Sequence, residues 1–241
     1  MCTVTFIPSG GSFFLTSNRD EKMQRRQAVP PKVYVQNETQ ILYPKDADAG
    51  GTWIALTDNF TAGVLLNGAF VNHTLSPPYR LSRGLVLVEI LTAPDPLNIF
   101  LQMCLQDIEP FTLILFQQLA LHECRWDGSE KFRRQLTTGQ NHIWSSATLY
   151  NKAVQHKREQ WFSTWLGKNN RPTQADIFQF HQFGGEGDEH NDIRMNHEGK
   201  LFTVSITGIQ LNGKTAVMNY LDLKDDATFS QKINHTSAYT L

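Results

Sequence analysis

The chain has 241 residues, 40% of them apolar, and a formal net charge of −1 from 22 basic and 23 acidic side chains. This is enough apolar mass for a sizeable core, and it sets up no field that would draw nucleic acid or an anionic bilayer. Three cysteines are an odd, sparse set that argues against a disulfide framework and for a reducing compartment. No stretch approaches the roughly 20 apolar residues of a membrane span, and the first residues lack a basic region followed by an apolar one. The reading is a cytoplasmic protein without a transmembrane segment or a nucleic-acid partner.

Residues 2–7 (CTVTFI) and 12–17 (SFFLTS) alternate as strands around a Pro8-Ser9-Gly10-Gly11 turn, which predicts an N-terminal hairpin. The polar run from Asn18 to Pro31 reads as loop, and further strands are predicted at 33–36, 52–58 and 62–66. Ser82 supplies a helix cap, and Asp95-Pro96 supplies the cap and first position of a second helix. Residues 111–117, 119–126 and 131–137 read as a meander turning at Asp127-Gly128. Helices follow from Tyr150 to Leu166 and from Thr173, then a polar loop over 184–199. Two strands, 201–210 and 215–222, close the chain around Asn212-Gly213. Strands and helices in segregated blocks predict an α+β layered sandwich, and the absence of repeats or linkers predicts one domain over 1–241.

Cys2 directly follows the initiator methionine. Methionine removal exposes a thiol and an α-amine on one residue. The amine has a reference pKa of about 7.7–8.0 and the thiol about 8.5, so the amine can take the thiol proton directly or through a water. The alternative is a small apolar residue in an ordinary first strand.

The residues around it weigh against that alternative. The Asn18-Arg19-Asp20-Glu21 tetrapeptide, "GGTWIAL" from Gly50, "GVLLNG" ending at Gly68 and "SRGLVLVEIL" from Ser82 follow Met1-Cys2 in order. In these motifs the chain resembles the NRDE family, which includes transport and Golgi organisation proteins. The resemblance covers the first 90 residues or so densely and the remainder in layout. It implies a four-layer αββα sandwich of the N-terminal nucleophile hydrolase type, similar to choloylglycine hydrolases and penicillin V acylases. Those enzymes also begin with Cys behind Met and carry an Arg and an Asp at the end of the second strand.

The resemblance implies roles for several residues. Asp20 or, equally, Glu21 anchors the α-ammonium of Cys2, and Arg19 stabilises a thiolate or a substrate carboxylate; Asn18 completes the tetrapeptide. Asn67 corresponds to a strand-end Asn of the oxyanion hole, its other reading being the start of an Asn-Gly turn. Ser146, in "HIWSSATLY", stands where relatives carry a Ser-Asn pair and is an additional oxyanion candidate. The late arginine of the enzymes has no counterpart in "LFTVSITGIQL"; the nearest is Arg194. His181, His190 and His197 with Asp188 and Glu189 fit no zinc spacing and read as a solvated loop, so no metal site is expected.

Two functions follow. The first is an N-terminal-cysteine hydrolase acting on a non-peptide amide (C–N) or thioester bond of a small acyl substrate, with no cofactor required. The second is a non-catalytic binding and trafficking protein on the same scaffold, with haem or an acyl lipid as the ligand.

Overall fold

Gly10 and Gly11, both at positive φ (58° and 78°), close a two-residue turn that folds β1 (Thr3–Ser9) back on β2 (Ser12–Lys22). The computed structural model describes residues 3–213 and 215–234, so Cys2 and its predicted role lie outside the described residues. The chain continues through β3 (Val29–Gln36), β4 (Thr39–Lys45), β5 (Ile54–Thr57) and β6 (Ala62–Asn67). Helices α1 (Arg83–Leu91) and α2 (Pro96–Gln102) lead to β7 (Phe111–Gln117), β8 (Ala120–Trp126), β9 (Lys131–Leu136) and β10 (His142–Ser145). After α3 (Lys152–Lys168) and α4 (Gln174–Phe183) come β11 (Asn196–His197), β12 (Leu201–Asn212), β13 (Thr215–Asp222) and β14 (Ala227–Asn234).

The strands form two antiparallel sheets. One runs β10-β1-β2-β12-β13-β14, with β11 added beside β12; the other runs β3 to β9 in chain order. Side chains of both sheets and of α1 and α2 share the main core, whereas Ile7 and Phe14 turn outward to pack with Phe162, Ile177 and Phe180 of α3 and α4. The result is the four-layer αββα sandwich. The helix starts follow the expected capping chemistry. Ser82, Asp95, Asn151 and Thr173 each accept a backbone N–H of the first turn, and Thr173 with Asp176 completes a capping box.

Four differences from the expected elements bear on the site. The tetrapeptide is strand, not loop: β2 runs through it to Lys22 because β12 pairs with it along its whole length, Ser205 opposite Arg19 and Thr203 opposite Asp20. β10, where no element was predicted, forms the edge beside β1, with Ser145 opposite Thr3. β4, buried over Ile41–Pro44 between β3 and β5, and β14, with a mostly exposed polar face, are strands that the sequence pattern did not reveal. His181 belongs to α4 and is fully buried, not part of a solvated loop.

Candidate active site

The period of two along β2 divides the tetrapeptide between two environments. Asn18 and Asp20 face the helical layer, while Arg19 and Glu21 face the cleft between the sheets. Thr3, the first described residue of β1, lies opposite both Asn18 and Ser145, so all four residues converge on the corner where the described chain begins.

On the cleft side, Arg19 is buried with its guanidinium over the Trp53 ring, 4.6 Å from the centroid. Its Nη2 donates to Asp46 Oδ2 at 2.7 Å and lies 3.7 Å from Glu21. Arg25 reaches the other oxygen of Asp46 at 3.1 Å. Burial alone would raise the Asp46 pKa. The Ala49 N–H and the two arginines outweigh it and hold the carboxyl down at about 2, so it stays ionised and fixes Arg19 in place. A cavity of about 460 Å³ opens here, lined by Arg19, Glu21, Trp53, Asn67, Tyr79 and Arg83 among others.

Asn67 ends β6 at the cavity wall. Its backbone carbonyl accepts from Ser146 Oγ at 3.0 Å, and Thr148 lies against the same hydroxyl at 2.9 Å. The Ser146 proton is therefore used on the Asn67 main chain, and Ser146 enters the site as the tie that holds this strand end. The Asn67 carboxamide makes no hydrogen bond among the described residues and lines the cavity. Gly51 and Gly84 bring the α1 start to the same place. Thr52 N donates to Gly84 O at 3.3 Å, and a Cβ on Gly84 would stand 2.7 Å from Thr52 O.

On the helical side, Asn18 Nδ2 donates to the carbonyls of His181 (3.1 Å) and Ile193 (2.8 Å), which leaves Oδ1 as its acceptor. That oxygen takes the His181 Nδ1 proton at 2.5 Å, so Nε2 accepts from Thr5 Oγ1 at 2.8 Å. Burial, with Arg158 as a second cause, pushes the His181 pKa down to about 3 and keeps the ring neutral. Asn18 and His181 thus clamp α4 and the following segment onto the sheet. Asp20 accepts from Thr203 Oγ1 at 2.6 Å and from the Tyr150 hydroxyl at 3.4 Å.

The geometry brings Arg19, Glu21 and Asn67 into one cavity and Ser146 behind it, and it turns Asn18 and Asp20 to the opposite face of β2. Sequence reading missed Asp46, Tyr150 and Arg158. Asp46 follows an unread strand, and nothing in the local pattern links it to Arg19. Arg158 had a weak signal, standing four residues before Phe162 on one face of an otherwise polar helix.

Two facing antiparallel sheets between helical layers, with this cleft at the end of the first hairpin, define a fold of the N-terminal nucleophile hydrolase class. The model of the family described as Transport and Golgi organisation 2 matches residues 1–201, and the chain belongs to that family. Among solved structures it is similar to a Caenorhabditis elegans ortholog of N-acylethanolamine-hydrolyzing acid amidase. The TM-score is 0.60 at 11% identity, over 86% of this chain and 92% of that one. It is also similar to two variants of conjugated bile acid hydrolase from Clostridium perfringens. Their TM-scores are 0.57 and 0.56 at 7% and 8% identity, each covering 100% of this chain and 99% of the other. No curated protein matches the sequence. No helix among the described residues is long and apolar enough to cross a membrane.

Proposed function

We propose that this chain is an N-terminal-cysteine hydrolase of small acyl compounds, cleaving a non-peptide amide or a thioester. The observation that carries the reading is the Asn67 carboxamide. It lines the same cavity as Arg19 and has no hydrogen bond to a described residue, as expected of a donor kept for a charge that forms only during reaction. The fold's occurrence in an acid amidase and a bile acid hydrolase agrees with this chemistry.

The reading requires Met1 to be removed and Cys2 to continue the ladder one residue beyond Thr3, in the row of Arg19 and Ser146. The α-amine then takes the thiol proton while sulfur attacks the carbonyl carbon, and Asn67 Nδ2–H receives the developing oxyanion. Collapse breaks the C–N or C–S bond. The ammonium returns its proton to the leaving group, and a thioester to Cys2 remains. Water, deprotonated by the same amine, attacks that thioester and releases the acid. Arg19, its charge fixed by Asp46, faces the thiolate or a substrate carboxylate.

Intact-protein mass spectrometry tests this. The expected result is loss of Met1 and one acyl adduct with an activated thioester, absent in Cys2→Ala. The adduct should form roughly 100-fold more slowly in Asn67→Ala, the usual effect of losing one oxyanion donor. Retained Met1, or an adduct that persists in Cys2→Ala, would overturn the proposal.

A further inference from the structure

The helical side of the corner holds two buried charges of opposite sign, neither of which forms an ion pair among the described residues. Arg158, midway along α3, is fully buried. Its Nε donates to the Asn191 carbonyl at 2.9 Å, Nη2 to the Asp192 carbonyl at 2.6 Å and Nη1 to Thr3 Oγ1 at 2.7 Å. The guanidinium lies 3.5 Å from the centre of the Tyr150 ring, whose hydroxyl donates to Asp20. Carbonyls, a hydroxyl and an aromatic face satisfy its donors but leave its charge uncancelled. Asp20, also buried, is satisfied by two neutral hydroxyls.

We infer that Arg158 is a positioning residue for the chain's first strand and the charge that keeps the α-amine of Cys2 neutral near pH 7. The inference rests on the hydrolase reading above, in which that amine is the base. Arg158 holds the Thr3 side chain, and the amine belongs to the preceding residue. Covalent geometry alone then limits the distance from Nη1 to the α-nitrogen to about 9 Å. Two positive charges at that separation, in an effective dielectric near 20, lower the amine pKa by about one unit. Asp20 pulls the other way. Unopposed, it would lift the amine above its reference range of about 7.7–8.0 and leave it protonated, unable to accept the thiol proton.

The other groups facing this corner do not substitute for Arg158. Arg19 and Glu21 lie on the cleft side, with Arg19 committed to Asp46. His181 of α4 is neutral. The Asp192 carboxylate accepts from the Glu186 and Gly187 N–H groups. Thr203 of β12 and Ser145 of β10 carry no charge.

Competitive acetylation of the N-terminal amine against pH, read on the N-terminal peptide by mass, gives the amine pKa; a Cys2→Ser background removes the thiol titration. Arg158→Met should raise the pKa by about one unit, and Arg158→Lys, which keeps the charge, should leave it within about 0.3 of the parent. Asp20→Asn should drop it below about 7.7, because repulsion from Arg158 is then unopposed. A folded Arg158→Met protein with the parent's amine pKa overturns the inference. Should that variant not fold, Asp20→Asn decides: an amine staying at or above the reference range shows no repulsion and overturns it equally. In the chain that retains Cys2, the acid limb of the acylation rate profile should move with the amine. The titration itself needs no turnover, so a protein that shifts as expected yet forms no Cys2 adduct refutes the hydrolase reading and not the role of Arg158.

Discussion

Arg19 and Asp20 are adjacent in the chain, yet their side chains are separated by the thickness of a sheet. Arg19 is pinned to Asp46 on the cleft side and Asp20 to Thr203 and Tyr150 on the helical side. The alternation of β2 makes this division, and on the helical face His181, bonded to Asn18 and Thr5 and kept neutral, seals the corner. Its folded pKa of about 3 lies below the unfolded value of about 6.5. Between those values the unfolded chain binds the proton and the folded chain does not, so the stability His181 confers is complete above pH 6.5 and is lost as pH falls toward 3. The whole loss is on the order of 5 kcal/mol. Asp46, held at about 2, and Glu123, held below its ordinary 4.5 by Arg125, Trp144 and Arg134, lose stability only as pH nears their ordinary values. Between pH 6.5 and about 5 the loss comes from His181 and from His122, which burial and Arg133 also lower, and the difference between the natural chain and a His181 variant separates the two. Melting temperatures across that interval should fall steeply for the natural chain and far less for His181→Gln, which should start lower at pH 7. Parallel slopes would show that the ring takes up its proton without penalty. At this scale the sequence was informative about identity and poor about direction. The tetrapeptide, Asn67 and Ser146 were all visible as candidates, but the face on which each lies depended on whether 18–22 was strand, and polar residues buried on both sides look like a loop.

Elements were legible where chemistry punctuates the chain. Ser82, Asp95 and Thr173 announced three helices, and the glycine and Asp-Gly turns announced hairpins. β4, β10 and β14 were not: the apolar run of β4 is short and ends at Pro44, β14 exposes a polar face, and β10, only four residues long, exists as a strand because β1 offers it an edge. The Gly51–Gly84 contact is a similar case, since both glycines were visible and their meeting was not. Substituting Gly84 by Ala in a solvated helix would gain about 1 kcal/mol of helix propensity. Here the new methyl would stand 2.7 Å from Thr52 O and 2.8 Å from Thr52 N, both backbone atoms that cannot swing away. Overpacking of this kind costs about 1–3 kcal/mol, and a shift of the α1 start would add to that. Gly84→Ala should therefore lower the urea midpoint rather than raise it, and it should also displace Ser82, Arg83 and Tyr79 from the cavity wall. A midpoint equal to or above that of the natural chain would mean the helix start slides away freely and does not define the cleft.

For the molecule as a whole, the question is whether the two sheets lose their order together. The main core contains Val4, Phe6 and Leu15 from one sheet, Ile54, Val64 and Leu115 from the other, and Leu87 and Leu91 from α1. Most of its area is buried only while both sheets face each other, which predicts one cooperative transition rather than two. Cys124 reports on this directly. It sits fully buried on β8, between β7 and β9, and burial pushes its thiol up to about 12. At pH 8 only about one molecule in ten thousand carries the thiolate there, and no reagent can reach it without opening the sheet. Cys104 is exposed and serves as the internal control. In rising urea, alkylation of Cys104 should be complete at every concentration within the labelling time. Alkylation of Cys124 should rise along the same curve as the loss of far-ultraviolet ellipticity. Labelling of Cys124 at lower urea than the spectroscopic transition would show that the β3–β9 sheet opens on its own. The cleft residues Asn67 and Trp53 would then belong to a less stable unit than Arg19 and Asp20, and a site assembled from both sheets would come apart before the fold does.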